Sequence, residues 1–367
     1  MGGSPSSCAG PPPPCLAGLC GRDGAPPPRE APGGQPLRVT VVAAAGQIAY
    51  SLLPMIAGGN MFGPGQRVSL QCQDLGLAET QQAMGALEME LQDGNFPLLA
   101  QATFTTDDAI AFRAADYVLL LGAFPDRGPD RRALVENNGR IFRAIGRAVE
   151  AHASRACRVV VVGQPTCTNA LLCSMAAPSL PRENFFALTR LDQNRAAGLL
   201  AARAGVPAGD VRGVVVWGCH GCLPDLDHVR IKGQPIHQAL PRDEDKRWLR
   251  EQFPHEFRER SASVAEARGG LPAALSAARA VVDAVRDLHL GAREYVSLGV
   301  WSDGSGYGVA GGLVCSLPVQ CLGGGRWRVA PGLRLSEAST ALLRGGEREL
   351  LEDRALAQAA FGGAAAH

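Results

Sequence analysis

The stretch Leu37-Arg38-Val39-Thr40-Val41-Val42-Ala43-Ala44-Ala45-Gly46-Gln47-Ile48-Ala49 decides the fold. It opens as a β-rich apolar run, passes through small residues, and continues from Gly46 as an amphipathic helical pattern that reaches Ile56. A strand that turns into a helix in this way begins a βαβ unit. Further strand patterns follow at 68–75, 117–121, 159–162 and 214–217, with helical patterns at 84–93, 132–151 and 194–204 between them. This alternation predicts an α/β protein with a parallel sheet. After residue 188 the pattern becomes mixed. A long Ala-rich helix at 271–288 precedes Gly-rich strands and turns over 295–329. Two domains are therefore expected over 37–188 and 189–367.

Composition limits what such a chain does. With 367 residues, 46% of them apolar and 19% charged, a packed globular protein is expected. Lys plus Arg number 36 against 35 Asp plus Glu, so nothing points to a nucleic-acid surface. No run approaches the apolar length of a membrane-spanning helix. The 11 cysteines are scattered and odd in number, which suits a reducing, cytoplasmic setting better than a disulfide framework. Residues 1–36 hold 10 of the 26 prolines and read as a disordered Pro/Gly-rich extension. Arg22 and Arg29 are balanced by Asp23 and Glu30, unlike a transit peptide, and there is no apolar core of a secretory signal. Met1-Gly2-Gly3-Ser4-Pro5-Ser6 fits the loose N-myristoylation pattern, with Cys8 placed for a second anchor; a passive tail is the other reading.

The turn after the first strand has features of a dinucleotide site. Such a turn needs a tight first position, a glycine where backbone meets pyrophosphate, and a small residue where helix meets strand. Gly46 and Ala49 meet the last two needs, while Ala43 stands where glycine is usual. Asp74, near the end of the second strand, is placed to bind the adenosine ribose hydroxyls and to select NAD over NADP. These residues alone read equally well as an ordinary βαβ turn.

Three further segments carry chemistry. Thr189-Arg190-Leu191-Asp192-Gln193-Asn194-Arg195 puts Asp192 and Arg195 on one helical face. Gly213-Val214-Val215-Val216-Trp217-Gly218-Cys219-His220 delivers a histidine just past a short strand, and Pro125-Asp126-Arg127-Gly128-Pro129-Asp130-Arg131-Arg132 is an arginine-dense loop. Oxidation of a 2-hydroxy acid needs a base for the hydroxyl proton, an acid that orients and charges that base, and cations for carboxylates. The three segments contain all of these. Each also has a plainer reading: a backbone-satisfied histidine, a surface ion pair and a solvated turn. Cys219-His220-Gly221-Cys222 has the CxxC spacing of zinc and redox motifs, but lacks the second pair of a structural zinc site.

From about residue 37 to 340 the chain resembles the cytosolic malate dehydrogenase family. The resemblance rests on Ala45-Gly46-Gln47-Ile48-Ala49-Tyr50-Ser51-Leu52-Leu53, Met89-Glu90-Leu91-Gln92-Asp93, the stretch 188–195 and Ser302-Asp303-Gly304, in the family's order and spacing. It implies a Rossmann-type NAD domain, an α+β substrate domain, a small dicarboxylate substrate, and a homodimer packed through helices such as 84–93. By position, His220 would accept the proton and Asp192 would orient it. Arg195 would clamp the C1 carboxylate, Arg131 would polarise the reacting carbonyl, and Arg127 would read the distal carboxylate, with Gln164 beside the substrate. Ala43, Gly46, Gln47, Ile48, Ala49, Asp74, Asn138, Ile145, Val162, Gly163 and Gln164 would line the cofactor groove. The chain departs from the family at Ala43, Asp126 and Ile145, at Gln164 (Asn in the family) and at Pro272-Ala273 (Ser-Ser in the family). These departures leave open two other readings: a catalytically impaired relative, and a 2-oxo acid reductase of shifted substrate.

Overall fold

The computed structural model describes residues 34–124 and 130–361. The extension up to residue 33 with its lipidation pattern, and Asp126 and Arg127, lie outside these residues. Six strands, β1 (Leu37–Val42), β2 (Val68–Gln73), β3 (Leu99–Thr105), β4 (Tyr117–Leu120), β5 (Arg158–Val161) and β6 (Phe185–Ala187), pair in parallel in the order β3-β2-β1-β4-β5-β6. Their connections hold α1 (Gln47–Ala57), α2 (Ala78–Asp93), α3 (Asp108–Ala111), α4 (Arg131–His152) and α5 (Thr166–Met175). Central β4 and β5 are almost wholly apolar because helices cover both faces. This is the Rossmann-type sheet that the resemblance implies.

The rest of the chain begins with α6 (Arg190–Ala204). Short strands follow: β7 (Val211–Arg212), β8 (Val215–Val216), β9 (Pro224–Asp225), β10 (Arg230–Ile231) and β11 (Gln234–Pro235). Helices α7 (Ile236–Ala239), α8 (Asp243–Ala267) and α9 (Leu275–Leu290) lead to β12 (Val296–Ser302), β13 (Leu313–Gly323) and β14 (Arg326–Val329), then to α10 (Glu337–Phe361). The antiparallel strands β12, β13 and β14 extend the same sheet beyond β6. The join is one residue pair, Gly299 opposite Ala187, where a Cβ on Gly299 would stand 2.5 Å from that of Ala187. A second apolar cluster gathers Leu199 and Leu200 of α6 with Val211, Trp248, Phe253 and Phe257.

Several elements differ from the sequence reading. α2 begins at Ala78, six residues before the predicted start, because its exposed face carries no apolar period to read. α9 begins at Leu275, after Gly269 and Gly270 take left-handed backbone and Pro272 follows. The strand predicted at 214–217 contracts to β8, which pairs with β9 apart from the main sheet.

Strand order reverses at β1, which lies between β2 and β4, and a crevice opens beyond the carboxyl ends there. Strand ends crowd closely at that edge. A Cβ on Gly163 would meet the Gly122 carbonyl oxygen at 2.4 Å, and one on Gly122 would meet the Ala43 methyl at 2.8 Å. Ala43 itself has φ +63°, a left-handed conformation that costs a residue with a Cβ about 1–2 kcal/mol.

Ala43→Gly should therefore raise stability by up to about 1 kcal/mol, after the added freedom of glycine in the unfolded chain is offset. Gly122→Ala should cost about 1–3 kcal/mol by overpacking, and less in the Ala43→Gly background, where the opposing methyl is gone. Urea midpoints of the single and double variants measure both effects, and additivity would contradict the contact.

Candidate active site

The site is built where α6 starts and β8 ends. Asp192 sits in the first turn of α6 with no solvent exposure, and its Oδ2 lies 2.5 Å from His220 Nδ1. Ser316 on β13 holds the two elements together. Its hydroxyl donates to the Val216 carbonyl oxygen at 2.7 Å and meets the Thr189 hydroxyl at 2.8 Å, and its backbone bridges Gly218. His220 is drawn downward in pKa by burial, but the charge of Asp192 and its hydrogen bond outweigh this and raise it above the ordinary value; Arg195 opposes them. Asp192 Oδ1 is buried and has no hydrogen-bond partner among the described residues.

The other ring nitrogen, His220 Nε2, lies 2.6 Å from the side-chain nitrogen of Gln164. With Nδ1–H donated to Asp192, Nε2 carries the lone pair and the Gln164 amide donates to it. Two cavities share this His220–Gln164 pair. One of about 360 Å³ is lined by Ile48, Val162, Gly163, Leu191, Ser261 and Pro272-Ala273 among others, so it runs along the ends of the parallel strands. The other, about 90 Å³, is lined by Arg131, Thr166, Thr168, Cys219 and Glu349.

Of the groove residues expected from the sequence, Ile48, Val162, Gly163 and Gln164 reach the larger cavity. The remainder support it or stand away. Gly46 caps α1 in extended conformation, and no side chain caps the first N–H groups of that helix. Asp74 accepts from the Ala45 N–H at 2.8 Å and from the Leu75 N–H at 2.7 Å, which ties the turn to β2. Gln47 lies near Arg268, and Ala49 is buried in the core. Asn138 is not among the lining residues but braces one of them: its side chain accepts from the Phe124 N–H and donates to the Leu134 carbonyl oxygen. Ile145 packs on the core from α4 and is not among the lining residues.

Both described arginines of the expected substrate site are engaged by other groups of the protein, although Arg131 still lines the smaller cavity. Arg131 forms a fork to Asp353 of α10 at 2.7 and 2.6 Å and reaches Glu349 at 2.7 Å, and these acids raise its pKa despite burial. Arg195 donates to Ser261 Oγ at 2.7 Å and to the Phe257 carbonyl oxygen of α8 at 3.3 Å; burial lowers its pKa. Sequence reasoning missed the α10 contribution entirely. α10 packs on the histidine loop where Gly346 meets Gly218, and a Cβ on either would stand under 3 Å from the other's Cα. Asp353, itself 1% exposed, also accepts from the Thr168 hydroxyl.

Residues 37–186 match the family of the lactate/malate dehydrogenase NAD binding domain, and residues 189–360 match the lactate/malate dehydrogenase alpha/beta C-terminal domain. The cytoplasmic malate dehydrogenase of Zea mays is 40% identical over 332 residues, which cover 88% of this chain and 98% of that protein. Among solved structures, malate dehydrogenase from Naegleria fowleri superposes with a TM-score of 0.81 at 37% identity, covering 89% of this chain and 99% of the other. Trichomonas vaginalis lactate dehydrogenase in complex with NADH and oxamate gives 0.81 at 29% identity, covering 89% and 99%.

Asp192→Asn should drop the His220 titration midpoint below its ordinary value of about 6.5, because burial and Arg195 then outweigh the remaining upward effect of Cys222. His220 imidazole NMR signals read this directly. In the parent protein the raised midpoint contributes stability that is full below pH about 6.5 and fades as pH rises through the folded-state value. Asp192→Asn should lose that acid-side contribution in pH-dependent unfolding.

Proposed function

This chain belongs to the lactate/malate dehydrogenase family, and on that premise we propose that it interconverts malate and oxaloacetate with NAD. The observation that carries the proposal is the buried Asp192–His220 pair, with the Nε2 of His220 at the junction of two cavities. When bound, NAD supplies a hydride acceptor at C4 of its nicotinamide. The α1 N-terminus after Gly46 fits a pyrophosphate, since its first N–H groups have no side-chain cap. Asp74 keeps lone pairs beyond its two backbone contacts for the ribose hydroxyls.

In malate oxidation His220 Nε2 takes the C2 hydroxyl proton, and Asp192 stabilises the imidazolium. Gln164 must yield Nε2 to the substrate. Its amide serves both charge states, donating N–H to the neutral ring and, once turned over, accepting from the charged one. Arg195 exchanges Ser261 for the C1 carboxylate, and Arg131 leaves the acids of α10 for the carbonyl oxygen. Arg127 is assigned to the distal carboxylate.

We place the enzyme in the cytoplasm as a homodimer. The relatives named cytoplasmic support the location, and the faces of α1 and α2 support the dimer: Tyr50 and Met89 stay half or more exposed, and the Tyr50 hydroxyl binds Glu90 across the two helices.

Purified protein should oxidise NADH with oxaloacetate, and His220→Asn should lower kcat by about 10²–10⁴. A His220→Asn enzyme that keeps parent turnover would sink the mechanism. Gln164→Asn withdraws the amide from Nε2, so kcat/KM for oxaloacetate should rise; a fall would mean that Gln164 assists rather than competes.

A further inference from the structure

The catalytic histidine is held between two thiols. Cys219 Sγ and Cys222 Sγ lie 3.3 Å apart, across a turn closed by the Cys222 N–H to the Cys219 carbonyl oxygen. We propose that Cys219 and Cys222 are a reversible disulfide-forming site, and that peroxide oxidation of this pair draws His220 out of register with Asp192. The effect on turnover rests on the dehydrogenase reading above; the disulfide does not.

Access and geometry single out this pair. Cys72, Cys157, Cys167, Cys173, Cys315 and Cys321 are buried, and burial pushes their thiols up. Among the described cysteines, Cys222 alone is partly exposed. The hydrogen bond from the Cys219 thiol lowers Cys222 against the opposing effect of burial, which favours the nucleophilic thiolate there. Gly218 and Gly221 both adopt φ +85°, so the turn is flanked and interrupted by backbone that adjusts readily. Gly221 also has open space around it. No group of three metal ligands occurs among the described residues.

The chemistry balances with a peroxide as oxidant. The Cys222 thiol gives up its proton, the thiolate attacks one peroxide oxygen, the O–O bond breaks, and the departing hydroxide takes that proton, leaving a sulfenic acid and the first water. The Cys219 thiol then attacks the sulfenic sulfur, the S–O bond breaks, and the second water leaves as the S–S bond forms. Two thiols thus give two electrons to the peroxide. A dithiol reductant reverses the bond by two exchanges.

Bond formation at about 2.05 Å brings the sulfurs together by more than 1 Å. His220 is covalently strung between them and moves with them, whereas Asp192 is fixed on α6. A misplacement of about 1 Å can cost roughly a hundredfold in rate. Cys219 also lies 3.7 Å from Glu349, the acid that shares Arg131, so the loss of its S–H touches the smaller cavity as well.

The test treats the full chain with hydrogen peroxide, alkylates free thiols and digests with trypsin. Both cysteines fall in the peptide 213–230. The expected product is that peptide, two hydrogens lighter and unalkylated, with NADH–oxaloacetate turnover down by about a hundredfold and restored by dithiothreitol. Cys222→Ser should retain through peroxide whatever turnover it has beforehand. Alkylation of both cysteines, a bridge to Cys167 instead, or full turnover by bridged enzyme would each overturn the proposal. If the reduced chain shows no turnover, the dehydrogenase reading fails, yet peptide mass still decides the disulfide. His220 NMR titration then decides the displacement: a lower midpoint in the bridged form supports it, and an unchanged one refutes it.

Discussion

A carboxylate with no access to water sets the terms for everything around it. Asp192 has one oxygen on His220 and the other without a partner among the described residues. An isolated charge in such a place is strongly disfavoured, so its environment must supply a cation or a donor. His220 does so, and in doing so it becomes a stronger base with a fixed tautomer. That contact tolerates little error, and the surroundings are arranged accordingly. α6 carries the acid and the turn after β8 carries the histidine. Ser316 joins them by bonding both Thr189 and Val216.

The second constraint is crowding at the strand ends. The crevice beside β1 exists because strand order reverses there. Gly122 and Gly163 let neighbouring strand ends approach, while Ala43 brings a methyl into the space where one more hydrogen would do. The chain thus accommodates a local strain at the groove, in keeping with the tendency of strained backbone to collect at functional sites.

Much of this was legible in the sequence because it depends on local pattern. β4 and β5 are almost wholly buried and so read as continuous apolar runs, and β1 shows Val39, Val41 and Val42 around a buried Thr40. Asp192 and His220 stood out because their flanking segments are recognisable. Other parts escaped for physical reasons. β3 is a sheet edge with no fully buried residue, so it shows no alternation. α8 runs for 25 residues, yet it buries little beyond Asp245, Trp248, Phe253 and Phe257, and charges and Pro254 obscure its period. The roles of Glu349 and Asp353 depend on a contact more than 200 residues away, with Arg131. No local pattern encodes that distance. The engagement of Arg131 and Arg195 by α10 and α8 is likewise a matter of tertiary placement.

The glycine-to-glycine contact between Gly218 and Gly346 bears on when the protein becomes an enzyme. The histidine turn is backed by a helix that is made more than 100 residues later in synthesis. Domains generally form from the N-terminal end as the chain emerges. The parallel sheet around β1 therefore has its partners early, while the histidine turn waits for α10 to cover it. Assembly of the NAD-binding domain precedes completion of the histidine turn, so a partly made chain holds that domain's sheet before it holds the Asp192–His220 pair.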